Sequence, residues 1–162
     1  MKMITINSSP NQVKETLKWI THFMTKYRAD YDWVELARHV AKSGGAASPE
    51  QETEAVRLWV KCYADYRMDP YGVEYLQDPM VMLETQAGDC DDLSCLAGVL
   101  LINLGHDCYP AGVVWKGDRS ASHCVLIDET TNLVCDPVAA VPASFWPEPP
   151  YQVEKFVKWG RA

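Results

Sequence analysis

The stretch Ala87-Gly88-Asp89-Cys90-Asp91-Asp92-Leu93-Ser94 constrains the fold most, because it turns directly into an apolar helical run. Gly88 ends one segment and Asp89 can cap the next. Leu93, Leu96, Ala97, Leu100, Leu101 and Leu104 then recur at helical spacing until Gly105. A helix of this composition must be buried, and Cys90 lies in its first turn. Unpaired N–H groups and the helix dipole favour a thiolate there. Asp89, Asp91 and Asp92 in the same turn oppose it. A thiolate at Cys90 therefore needs a cation, and of the four histidines only His123 lies in a stretch able to reach the helix start.

Ser122-His123-Cys124-Val125-Leu126-Ile127-Asp128 reads as a strand, and Asn132-Leu133-Val134-Cys135-Asp136-Pro137 as a second one after a short polar turn. A two-residue turn at Glu129-Thr130 sets His123 opposite Asp136, with Cys124 and Cys135 sharing the other face. Nucleophile, base and orienting carboxylate then follow in the order Cys90, His123, Asp136, the set that covalent acyl transfer needs. The other histidines, His22, His39 and His106, fall on helices or loops outside such a context.

Gly88-Asp89-Cys90-Asp91-Asp92, the leucine-rich helix ending at Leu104-Gly105, the His123 strand and Asp136-Pro137 together resemble the transglutaminase-like superfamily, most nearly its small bacterial and phage members. The resemblance runs over residues 71–138. It implies a papain-like α+β fold in which the nucleophile helix packs on an antiparallel sheet, with Cys90 as nucleophile, His123 as base and Asp136 as orienting residue. The implied chemistry proceeds through a thioester, with water as acceptor in a peptidase or amidase and an amine as acceptor in a cross-linking transglutaminase. The substrate is then a protein or peptide, cell-wall peptide included. The resemblance to phage members also raises an alternative: a catalytically idle binding or assembly module, with a partner held by the cleft or the N-terminal helices, as in a phage particle.

At 162 residues and 48% apolar content the chain suits one well-buried domain, 1–162, with a helical subdomain over 1–68 and a catalytic core over 69–162. A net charge of −7 with no basic stripe argues against nucleic acid and anionic membranes. The longest apolar stretch, Cys95 to Ile102, is too short to span a bilayer, and Met1 to Asn7 is too short and polar for a signal peptide, so a cytoplasmic site of synthesis is expected. The six cysteines lack C-x-x-C spacing, so a zinc ribbon is not expected. Cys62, Cys95, Cys108, Cys124 and Cys135 read as reduced, small, buried residues. Asp89, Asp91 and Asp92 read as capping residues rather than metal ligands, and no metal or organic cofactor is implied.

Upstream, Ser8-Ser9-Pro10-Asn11-Gln12 signals a helix carrying Val13, Leu17, Ile20, Met24 and Tyr27. Asp30 or Asp32 can cap a second, with Trp33, Leu36, Ala37 and Val40, which Gly44-Gly45 ends. Ser48-Pro49-Glu50-Gln51 opens a third, with Ala55, Leu58, Trp59, Cys62 and Tyr66 on one face. Asp69-Pro70-Tyr71-Gly72 is a turn, and Asp78-Pro79 starts a short helix. Gln77 and Gln86 are candidate oxyanion donors beside the backbone N–H of Cys90. Cys108 to Trp115 reads as a strand whose Pro110 favours an edge or a bulge. Lys116-Gly117-Asp118-Arg119 forms a turn into the His123 strand, a proline-rich loop follows Pro137, and Tyr151 to Trp159 reads as a closing strand.

Overall fold

The computed structural model describes residues 3–6, 9, 11–148 and 151–159. In chain order the elements are β1 (Met3–Ile6), α1 (Gln12–Lys26), α2 (Tyr31–Ser43), α3 (Pro49–Tyr63), β2 (Asp65–Tyr66), β3 (Glu74–Gln77), α4 (Pro79–Thr85), β4 (Ala87–Gly88) and α5 (Cys90–Leu104). Then come β5 (Cys108–Trp115), β6 (His123–Asp128), β7 (Leu133–Cys135), a 3-10 turn (Ala143–Phe145) and β8 (Val153–Lys158). The fold is α+β. A four-stranded antiparallel sheet ordered β7-β6-β5-β8 packs on helices.

Helix α5 is the centre. Its residues from Asp91 to Ile102 are all buried, and α1, α2, α3, α4, β5 and β6 surround it. With no polar side to present to water, such a helix is stable only when walled in on every side. Gly105 ends it in the left-handed conformation (φ 96°), which glycine adopts without steric cost. One contiguous core joins Ile6, Leu17, Ile20, Met24, Val40, Val56, Val60, Leu76 and the α5 leucines to Cys108, Cys124, Leu126 and Cys135 on one face of the sheet. A smaller cluster, Ala111, Val113 and Val125, covers the other face beneath Trp115, Trp146 and Phe156.

Local chemistry sets most boundaries. Asp30 caps α2 by accepting from the Asp32 and Trp33 amides, Ser48 caps α3 through the Gln51 amide, and Asp78 caps α4 through the Met80 amide. Helix α1 begins two residues later than the Ser-Pro signal suggests. Asn11 is its N-cap without a side-chain bond, and Ser9 Oγ accepts from the Asn11 amide instead. Ser8 and Pro10 lie outside the described residues.

Helix α3 is rotated from the expected face. Val56 and Val60 are its fully buried apolar residues, while Leu58 is exposed and Cys62, expected inside, is exposed as well. Two β-branched residues one turn apart dock on α5, and Leu58 and Cys62 are left lining a surface groove beside α2. Tyr66 falls in β2, beyond the helix.

The β6–β7 register also differs. Leu126 pairs with Cys135 and Asp128 with Leu133, so the turn spans four residues and His123 is not directly opposite Asp136. The slip is two residues, which preserves the faces. Strand β5 is interior, not an edge, yet β8 begins pairing only at Ala111, so Pro110 meets no partner on that side. Two short ladders had no sequence signal: β1 antiparallel to β3, and β2 parallel to β4.

Candidate active site

A cleft of about 420 Å³ opens where the start of α5 meets β6, and Cys90 and His123 both line it. Cys90 is the first residue of α5, and the Asp89 side chain caps that helix by accepting from the Asp91 amide at 3.2 Å. Ser94, one turn further on, donates to the Cys124 carbonyl at 3.1 Å and so fastens the helix to β6 one residue past His123. His123 Nε2 is 2.8 Å from Asp136 Oδ2. The other ring nitrogen, Nδ1, has no hydrogen bond among the described residues. Asp136 is 3% exposed, and its Oδ1 accepts from the Val138 and Ala139 amides at 3.0 and 3.3 Å.

Thus the structure brings His123 and Asp136 into direct contact and sets Cys90 and His123 on one cleft. Burial pushes the Asp136 carboxyl up, but the His123 bond, the His123 charge, the Trp146 bond and the Val138 amide prevail. It lies below the usual carboxylate value and is ionised at neutral pH.

Three contributors to this geometry carry no signal in the sequence. Trp146 Nε1 donates to Asp136 Oδ2 at 2.9 Å from ten residues downstream. Arg57 Nη1 and Lys61 Nζ, on α3, donate to the carbonyls of Ala139 and Val138 at 3.1 and 2.8 Å, which fixes the backbone just past Asp136. Arg57 is 2% exposed and is paired by Glu54 at 2.7 Å. Charged residues on an otherwise amphipathic helix read as its solvent side, so nothing marked Arg57 as interior.

The electrostatics around Cys90 are acidic, as its neighbours in sequence imply. Burial first, then Asp91 and Asp89, push the thiol well up, against a smaller opposing effect of the Cys124 backbone amide. The cleft also holds Glu74, whose carboxylate accepts from Gln12 Nε2 at 3.1 Å and Thr16 Oγ1 at 3.2 Å, and Asp69, which accepts from the Tyr75 amide. Tyr66 on the rim is pushed up to about 12 by burial and by Cys90 and Asp89. No Lys or Arg lines this cleft among the described residues.

Asp89, Asp91 and Asp92 each offer an oxygen within 4.8 Å of the others, the grouping among the described residues that could hold a cation. Most of those oxygens are engaged within the protein. Asp92 accepts from the Gln77 amide (2.7 Å) and Gln77 Nε2 (2.9 Å), and Asp91 Oδ1 accepts from the Asp92 amide. Asp91 Oδ2 is buried without a partner, and burial with Asp89 beside it pushes the Asp91 carboxyl well up.

Gln77 is therefore unavailable as an oxyanion donor. Its amide nitrogen serves Asp92 and the Ala87 carbonyl, its oxygen accepts from Thr85, and it does not line the cleft. Gln86 is the left-handed C-cap of α4 (φ 51°), exposed and away from the cleft. Both expectations fail because the residues serve the α4–α5 corner.

No family model matches the chain, and no curated protein is significantly similar to it. A solved structure from Cytophaga hutchinsonii, described as a candidate cysteine protease, superposes with a TM-score of 0.53 at 16% identity. It covers 88% of this chain, which spans about half (51%) of that protein's length. The likeness is one of fold. No helix among the described residues is long and apolar enough to cross a membrane.

Proposed function

We propose that this chain is a papain-like, transglutaminase-like enzyme that performs cysteine-dependent acyl transfer on amide bonds of protein or peptide substrates. The observation carrying the reading is the 2.8 Å bond between His123 Nε2 and an ionised Asp136, with Cys90 on the same cleft at a helix N-terminus. Asp136 holds the ring so that Nδ1 is left to take the thiol proton. Because the resting thiol is pushed up, the proton leaves the sulfur as attack begins, with His123 as general base, and is then given to the departing amine. The Cys90 backbone N–H, at the first helical position, is the donor for the oxyanion. The likeness to the Cytophaga protein supports the fold this chemistry uses.

A second reading, an idle binding or assembly module, is favoured by one observation, the acidic and buried surroundings of Cys90. The two are separated by incubating the protein with glutamine-containing and cell-wall-type peptides, with and without a primary amine. New amine or ammonia release, lost in Cys90→Ala, marks the enzyme. Incorporation of the added amine marks a transglutaminase, and addition of water alone a hydrolase. No product across the panel, with peptide binding that survives Cys90→Ala, overturns the catalytic reading.

A further inference from the structure

Asp136 Oδ2 receives two donors. His123 Nε2 approaches it at 2.8 Å and Trp146 Nε1 at 2.9 Å, while Oδ1 is held by the amides of Val138 and Ala139. A carboxylate gripped at both oxygens cannot rotate. An indole N–H only donates, so at this contact it can neither accept nor relay a proton. The Trp146 ring is itself fixed, 6.0 Å from Phe156 and 5.8 Å from Trp115 between centroids, and Trp115 stacks on the His123 ring at 6.0 Å and 18°. The proline-rich loop after Asp136 thus turns back and places one polar atom on the carboxylate that holds the histidine.

We propose that Trp146 is a positioning residue for the Cys90–His123–Asp136 site: its indole N–H fixes the Asp136 carboxylate and limits how tightly that carboxylate holds the protonated His123 ring. The inference rests on the acyl-transfer reading above. Two donors on one charged oxygen divide its attraction between them. Removing the indole donor leaves Oδ2 to His123 alone, so the imidazolium is held more firmly and surrenders its proton at higher pH. The carboxylate also loses one of its restraints, so the ring is less well aimed at the sulfur.

Trp146→Phe removes the N–H and keeps an aromatic ring against Trp115 and Phe156. The experiment follows alkylation of Cys90 by iodoacetate against pH, in a Cys62→Ser background because Cys62 is exposed. Because the resting thiol is pushed up, reaction needs the unprotonated ring as base, so the acid limb of the profile follows the ring. In Trp146→Phe the acid limb of the profile should move up, by as much as about one pH unit. The plateau rate should fall several-fold, and the thermal midpoint should change little.

A profile that superposes on the parent, or a limb that moves down, overturns the proposal. So does a lowered midpoint with an unshifted limb, the signature of packing alone. His123→Ala separates this from the underlying reading. If it leaves the parent profile unchanged, the acyl-transfer reading falls and this inference with it. If it alters the profile while Trp146→Phe does not, only the role of Trp146 is lost. Should Trp146→Phe fail to fold, the indole N–H resonance of the parent protein decides: it must titrate with the midpoint of the acid limb, and an unresponsive resonance overturns the proposal.

Discussion

Cys90 sits where two influences on a thiol oppose each other. The helix terminus favours the anion, but desolvation and the carboxylates of Asp91, Asp89 and Glu74 disfavour it, and the second group prevails. Glu74 is the member of that group that can be neutralised without touching the helix, since it belongs to β3 and its contacts are the neutral donors Gln12 and Thr16. Glu74→Gln should lower the thiol value and speed Cys90 alkylation at pH 8 several-fold in the Cys62→Ser background. Mass-spectrometric labelling kinetics check this, and an unchanged rate means Glu74 does not act on the sulfur. That His123 and Asp136 lie on one face was legible from strand alternation, because a two-residue register slip leaves a side chain on its face. Trp146 was not, since a loop rich in proline gives no period from which to infer where a side chain arrives.

Among the elements, the join between β4 and α5 is a tight one. A Cβ on Gly88 would stand 2.5 Å from Asp92 Oδ2 and 2.7 Å from Asp92 Cβ, and Asp92 is tied to Gln77 by two hydrogen bonds. Gly88→Ala should therefore cost about 1–3 kcal/mol, the usual range for overpacking. It should also slow Cys90 alkylation, because Asp92 can yield only by shifting the first turn of α5. Urea unfolding with parallel labelling tests both parts, and a stable variant with normal labelling contradicts the close approach. The caps of α2 to α5 and the glycine stop of α5 were readable because they are chemistry between residues two to four apart. The β1–β3 and β2–β4 ladders were not, because a four-residue or two-residue strand has almost no pattern and its partner is chosen by the whole fold. The face of α3 was misread for a related reason: Leu58 and Cys62 are apolar enough to be buried, and only the docking of Val56 and Val60 on α5 decides that they are not.

For the whole molecule, the polar clamp that joins α3 to the sheet governs the pH range of stability. His106 bonds Asp128 at 2.8 Å and Glu52 at 3.0 Å, and Thr53 donates to the fully buried Asp128 at 2.6 Å. Burial lowers the His106 value, but the bonds to Asp128 and Glu52 raise it further, and the net shift is upward. Burial raises Asp128, but His106 and Thr53 bring it below the ordinary value. Stability tied to His106 is thus fully present below its ordinary value of about 6.5 and is lost as pH rises through the raised folded value. Stability tied to Asp128 is present above about 3.9 and is lost as pH falls through its lowered folded value. His106→Ala should cost about 3–5 kcal/mol by stranding Asp128 without its cation. Its stability should also fall less than the parent's between neutral and mildly alkaline pH. Asp92, pushed up to about 7, adds a decline between acid and neutral pH that both proteins share, so the difference between their curves isolates His106. Thermal melts across pH 4 to 9 give the comparison, and parallel curves would refute the clamp. The walled-in α5 bears on a different observable. Its central amides have no route to solvent short of taking the protein apart, so the exchange of Val99, Leu100 and Leu101 with deuterium is a gauge of global opening. On the proposed function, the Cys90 sulfur is anchored to a segment that should exchange slowly, and motion that admits a substrate then belongs to the surrounding walls.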